Sequence, residues 1–427
     1  MFRRSRAVLI ASIAAMVMAA TPAVSVAESA SASASASAEP AQGNDAVQRA
    51  LDRAVSEGGA PGMLAEVKDG KSKWFGSAGV ADTATGRKPQ AVDRFRIGST
   101  TKTFTATVLL QLVGEGRLRL DDSVEKWLPG VVKGNGHDGS KITVRQLLNH
   151  TSGIFNYTND QEVVAKLVGP GFLEHRFDSV RPEQLVKTAM SHAPDFAPGT
   201  SWAYSNTNFI LAGMIAEKVT GRPLASEVTR RIIAPLGLTN TYLPGQSTSI
   251  YGPHGKAYSK LLLPDPTAPV HDVTELNASW AGSAGDMIST SGDITRFYTA
   301  LLSGKLLRPA EQKAMFTAVP TVNWIPNTGY GLGMITQKLS CGVQVWGHGG
   351  TIHGSLSWSM GLRDGSKFAS THMNGDWVDQ GGISVDVMQA AFCPDSASDS
   401  ASGGGAGTGG DSKDRTARPA ARPLQLF

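Results

Sequence analysis

The order of local patterns in this sequence predicts a mixed α/β (α+β) fold, with strands drawn from both chain ends around an inserted helical part. Three observations predict it. A helix and a hairpin pattern follow residue 44, helical periodicities dominate from about 105 to 280, and short strand-like runs after Gly329 lead to a closing helix. A cleft between two such parts is a favoured place for a small-molecule site.

Each element has a local reason. Asn44 is expected to cap a first helix in which Val47, Ala50, Leu51, Ala54 and Val55 recur at helical spacing. Met63 to Val67, the Asp69-Gly70 turn and Trp74 to Val80 read as a β-hairpin. In RFRIGSTTKTFTATVLLQLVGEG, residues Phe104, Val108, Leu109 and Leu112 share one side of a helix stopped by Gly114 and Gly116. Val144 to Asn149 and Asn208 to Val219 are further helical patterns. YGLGMITQ, GVQVWG, SLSWSMGL and FASTHM are strand-like, and Ser384 to Phe392 closes the body as a helix.

The ends differ from this body. MFRRSR, the apolar run Ala7 to Ala20 and the small residues Ser25-Val26-Ala27 have the layout of a secretory signal peptide, so residues 1–27 are expected to be removed and the protein secreted. The apolar run is short of the ~20 residues that span a bilayer, so no stable membrane span is expected. Residues 28–43, rich in Ser-Ala repeats, and residues 394–427, rich in Gly, Ser and later Pro and Arg, lack the apolar surface to fold. The folded body is expected over 44–393.

The formal net charge of the 427-residue chain is +4, and Arg3, Arg4 and Arg6 supply three of those charges. What remains is near neutral, without the basic patch that nucleic-acid binding needs. Cys341 and Cys393 are the two cysteines, and in an exported chain a single pair is most simply one disulfide.

Three short motifs carry possible chemistry. Ser99-Thr100-Thr101-Lys102 opens a buried helix, where positions i and i+3 lie on one face. A serine needs a base to take its proton, and burial with a neighbouring cation can prepare a lysine for that. Ser123-Val124-Glu125-Lys126 has the same spacing but lies in a polar, exposed setting. Tyr204-Ser205-Asn206 follows, with the tyrosine as a proton relay and Asn206 orienting the lysine or a substrate amide; Tyr157-Thr158-Asn159 repeats the spacing. His348-Gly349-Gly350-Thr351 lies at a strand end, where the glycines admit a ligand and the Thr351 N–H can face an oxyanion together with that of Ser99. The pair His348 and His353 lacks the companions of a zinc site, so no metal and no cofactor is expected. His353 reads as a rim residue and His137 as a solvated loop residue.

Together, S-x-x-K at 99, Y-x-N at 204 and H-x-G at 348 resemble the serine penicillin-recognising family of DD-peptidases, class C β-lactamases and related esterases and D-aminopeptidases. The stretches ITVRQLLNHTSGI, APGTSWAYSNTNFILAGMIAEKVTG and GYGLGM agree, over residues 44–393. The resemblance implies a β-lactamase/transpeptidase-like fold with an antiparallel sheet. It also implies an acyl-enzyme on Ser99, with Lys102, Tyr204, Asn206 and His348 catalytic. Thr351, Gly349 and Gly350 would lie at the oxyanion and substrate, and Trp280 would line the cleft or simply pack. Peptides of the peptidoglycan type, other D-amino-acid peptides and β-lactams are the expected partners, bound by a monomer. The likeness is greatest to actinomycete D-alanyl-D-alanine carboxypeptidases, making that activity the first expectation and a D-stereospecific amidohydrolase or esterase the second. A non-catalytic cell-wall-binding module is a third. Two departures bear on the choice. Gly349 and Ile335 stand where the carboxypeptidases keep a threonine and an arginine that hold the substrate's terminal carboxylate. An unperturbed His348 would titrate near pH 6.5 and make activity pH-sensitive.

Overall fold

The computed structural model describes residues 44–263 and 265–393, so the expected leader and tail lie outside the described residues. An antiparallel sheet of eight strands organises the body. In chain order these are β1 (Gly62–Asp69), β2 (Ser72–Gly79), β3 (Val319–Pro320), β4 (Thr328–Tyr330), β5 (Ile335–Lys338), β6 (Gln344–Ile352), β7 (Ser355–Gly361) and β8 (Lys367–Met373). Their spatial order is β2-β1-β8-β7-β6-β5-β4-β3, so the N-terminal hairpin pairs with the last strand, Met63 opposite Met373. Gly70 makes the hairpin turn at φ 56°, a conformation that costs glycine least.

Alternation along β1 sends Met63, Ala65 and Val67 to one face and Leu64 to the other. The first face packs under α1 (Asp45–Ser56), through Val47, Ala50, Leu51 and Ala54, and under α5 (Gln380–Phe392). The expected cap is absent: Asn44 is itself near-helical and its side chain makes no capping bond. The Cys341–Cys393 disulfide ties the turn between β5 and β6 to the end of α5.

The other face meets the helical part. At its centre is α2 (Thr101–Gly114), of which eleven of fourteen residues are buried. It is therefore enclosed on all sides rather than one-sided as its Phe104, Val108, Leu109 and Leu112 spacing suggests. Around it lie α3 (Asn206–Thr220) and α4 (Ser291–Leu302). Leu64 and Phe368 of the sheet share one apolar core with these helices, so helical part and sheet are a single packed body. No helix among the described residues is long and apolar enough to cross a membrane.

Candidate active site

The turn that carries Ser99 is laid directly on the backbone of β6. Ile97 N–H donates to Met287 O at 2.9 Å, and Gly98 then turns at φ 49° into a short 3₁₀ segment, Gly98–Thr100, that runs into α2. A Cβ on Gly98 would sit 2.7 Å from Thr351 N, and one on Gly350 would sit 1.9 Å from Ile97 O. Two bare backbones must meet here, and this explains both glycines. Thr351 is fixed from behind, its Oγ1 donating to Gln380 Oε1 of α5 at 2.8 Å.

Lys102 lies one helical turn on, fully buried. Its Nζ is 2.8 Å from Ser99 Oγ, 2.7 Å from Asn206 Oδ1 and 2.8 Å from Ala284 O. Burial alone pushes its pKa well below the ordinary lysine value; the neighbouring cation expected from the sequence has no part in it. Asn206 Oδ1 and Ala284 O can only accept. They therefore take the two protons of a neutral amine, leaving its lone pair toward Ser99 Oγ. Asn206 is held in turn, its Nδ2 donating to Thr158 Oγ1 at 3.2 Å.

Tyr204 places its ring 4.8 Å from Lys102 Nζ. Its hydroxyl is buried without a hydrogen bond of full geometry. Burial raises its pKa, and the Ser99 hydroxyl beside it pulls the other way. Behind it are aromatics that the motif reading left out. Trp324 stacks on Tyr204 at 5.7 Å, and His150 tilts against it at 4.4 Å. His150 Nδ1 accepts from Ser205 N–H and Asn208 Nδ2, which puts the ring proton on Nε2. The signal for His150 lies in LLNHTSG, a stretch that agrees with the family likeness but whose histidine no motif spacing singles out.

His348 is in the cleft wall but fully engaged. Its Nδ1–H donates to Gly349 O at 2.6 Å and its Nε2 accepts from Tyr330 OH at 2.7 Å. Burial, with Lys102 nearby, depresses its pKa to about 3, so it is neutral at physiological pH. The pH sensitivity expected near 6.5 is thereby corrected.

Other candidates separate from this cluster. His353 is no rim residue: it is buried, stacked on Phe172 at 3.7 Å, with Nε2 bonded to Val168 O. It does not converge with His348. His137 is buried rather than solvated, its Nε2 bonded to His192 O. Trp280 is buried against His353, and its carbonyl accepts from Tyr157 OH at 2.7 Å. Ser123 merely caps a short helix, and Lys126 pairs with Asp122. A Cβ on Gly349 would lie 2.2 Å from the Trp358 ring, in the layer that also holds α1, α5 and Tyr204. Ile335 is buried in the same layer.

The chain that carries this cluster matches one family model, Beta-lactamase, over residues 47–364. The chain belongs to the Beta-lactamase family. It is 55% identical to a D-stereospecific amidohydrolase from Streptomyces sp., with 82% of this chain and 99% of that one covered and a TM-score of 0.77. The D-amino acid amidase from Ochrobactrum anthropi SV3 is 28% identical, with 82% and 98% covered and a TM-score of 0.71. Among curated Beta-lactamase-family relatives, Penicillin-binding protein 4* of Bacillus subtilis is 27% identical over 65% of this chain. D-alanyl-D-alanine-carboxypeptidase/endopeptidase AmpH of Escherichia coli is 29% identical over 64% of it. The chain spans 60% and 66% of those two proteins. The octameric penicillin-binding protein homologue from Pyrococcus abyssi shares the fold at 21% identity, so a monomer does not follow from the fold.

Proposed function

We propose that this protein is a secreted serine hydrolase that cleaves amides, esters or peptides on the carbonyl side of a D-amino acid, with D-amino-acid amides favoured over free-carboxylate peptides. One observation carries the preference. Of the two positions that would grip a terminal carboxylate, Ile335 is apolar and buried and Gly349 has its side-chain space filled by Trp358. Two missing charge-assisted bonds, roughly 1.5–3 kcal/mol each, weigh against carboxypeptidase activity. The amidohydrolase and amidase likenesses support the same reading. The secretory leader in the sequence supports export.

In this mechanism Ser99 Oγ passes its proton to neutral Lys102 as the Oγ–carbon bond forms, and the carbonyl oxygen becomes an oxyanion facing the N–H groups of Ser99 and Thr351. Tyr204, too weak an acid to rest as a phenolate, relays a proton to the leaving nitrogen as the C–N bond breaks. Water then attacks the ester and regenerates Ser99. His348 stays neutral and holds the cleft wall through Tyr330.

Comparing turnover of a D-phenylalanine amide with that of a peptide ending in D-Ala-D-Ala tests the preference. Faster release of D-alanine from the peptide would overturn it and restore the carboxypeptidase reading, which the AmpH likeness supports. Ser99→Ala should abolish both activities and covalent labelling by a fluorescent penicillin. Wild-type turnover of either substrate would set aside a purely binding role.

A further inference from the structure

A second cavity, of about 300 Å³, lies at the β2–β1 edge of the sheet, with β8 and β7 between it and β6. Its walls come from β1, β2, α4 and the short helix Ala234–Leu236. Four cationic side chains line it: Lys68, Lys73, Arg296 and Lys305. Lys68 and Lys73 stand directly opposite each other across the hairpin, a like-charge pair that a sheet ordinarily avoids. Lys68 Nζ donates to the backbone carbonyls of Gly365 and Ser366, near the Asp364 carboxylate. Lys305 makes no ion pair among the described residues, and Arg296 meets Asp293 at 3.3 Å. Glu66, beneath the hairpin, is 3.8 Å from Lys73, and burial pushes its pKa up.

Between the cations, Thr299 lines the same cavity with a hydroxyl that is buried and completes no hydrogen bond. Thr295 is wholly shielded and turns its hydroxyl to the Glu66 carboxylate, which opposes the rise in its pKa. A buried hydroxyl without a partner and a concentration of cations both lack what an oxyanion supplies: several acceptor oxygens and compensating charge.

We infer that this cavity is a binding site for a phosphate group, free or in a phosphodiester chain, separate from the Ser99 cleft. Lys73 and Lys305 provide the charge at its mouth, Arg296 a planar donor face, and the Thr299 hydroxyl a donor at its floor. Bound phosphate relieves the repulsion of Lys68 and Lys73. The site is independent of the hydrolytic reading, because no residue of it touches Ser99, Lys102 or Tyr204.

Calorimetric titration of the folded protein with inorganic phosphate, and separately with a glycerol-phosphate oligomer, tests the site. Saturable binding that weakens with salt is expected for at least one probe, and the tighter probe identifies the source of the phosphate. Lys305→Glu should weaken binding by roughly tenfold or more, the usual worth of a charge-assisted bond. Thr299→Val, which leaves the charge unaltered, should weaken it several-fold. Both variants should keep the wild-type melting curve and penicillin labelling at Ser99. Absence of saturable binding would overturn the proposal. So would a loss confined to Lys305→Glu with Thr299→Val unchanged, because that pattern is diffuse attraction rather than a built site.

Discussion

Gly98 and Thr351 are pressed together so closely that any side chain on Gly98 would lie 2.7 Å from the Thr351 nitrogen. The contact joins the turn before the nucleophile to the strand that faces it. Gly98 also turns at φ 49°, which L-residues resist. Gly98→Ala should therefore push the Ser99 turn off β6 and misplace the proposed oxyanion donors. A fall in kcat of about 10²–10³ is expected, the usual effect of losing one such donor, with the far-UV spectrum unchanged. Near-wild-type kcat would show that the contact is dispensable.

Asn206 is one of two acceptors that aim the lone pair of Lys102. Asn206→Ala leaves the amine free to rotate and strips a partner from Thr158. A hydrogen bond between neutral groups is worth roughly 0.5–1.5 kcal/mol, or about 2- to 10-fold in kcat/KM. Asn206→Asp should do more harm, because a nearby carboxylate favours the ammonium form and disarms the base. Equal activity in all three proteins would remove Asn206 from the machinery.

The pH dependence of turnover should follow Lys102 and not His348. A base must be neutral to work, so activity is lost as pH falls through the depressed pKa of Lys102. His348 holds its proton only below about pH 3 and adds no step near 6.5. His348→Asn should lower the height of the pH–rate profile through its lost contact with Tyr330 and leave the acid midpoint in place. A shifted midpoint would sink this assignment.

The motif spacing singles out Ser99, Lys102, Tyr204, Asn206, His348 and Thr351, each on a regular element or beside one, where spacing translates into direction. It could not reach Ala284 or Gln380. A backbone carbonyl acting as acceptor carries no sequence signal, and Gln380 matters only because α5 packs behind β6. The burial of His137 and His353 was also hidden, since short polar neighbours say nothing of the distant Phe172 that stacks on His353. The order of local patterns draws strands from both chain ends but does not say which of them pair. Pairing of the first hairpin with the last strand is a contact between chain ends that local pattern does not contain.

Gly349 tests the substrate reading from the other side. Gly349→Thr restores the residue that carboxypeptidases keep, yet its Cβ would meet the Trp358 ring at 2.2 Å. The single variant is expected to be destabilised by about 1–3 kcal/mol, as overpacking usually is, and to gain no carboxypeptidase activity. Gly349→Thr with Trp358→Val should recover part of the melting temperature. A stable single variant that releases D-alanine would show that Trp358 yields easily and that Gly349 alone set the specificity.

Acid should unfold this protein steeply, for a reason that can be traced to buried imidazoles. His348 and His372 are held to a pKa of about 3, His353 to about 4, and His150 well below its ordinary value, all chiefly by burial. In the unfolded chain each titrates near 6.5, so between pH 6.5 and about 4 the unfolded state binds more protons and stability falls with pH. Four such groups give at most about 5 kcal/mol per pH unit. Asp286 works in the opposite sense. Burial raises its pKa to about 7, so its contribution is fully present below its unfolded value near 3.8 and is lost as pH rises to about 7. Asp286→Asn should thus stabilise the protein at pH 8 by something on the order of 2–4 kcal/mol and steepen the loss between pH 6.5 and 4. Urea unfolding at pH 8, 6 and 5 on wild type and Asp286→Asn measures both effects. A flat stability curve across pH 5–7 in the wild type would mean that these histidines are not held neutral in the folded protein.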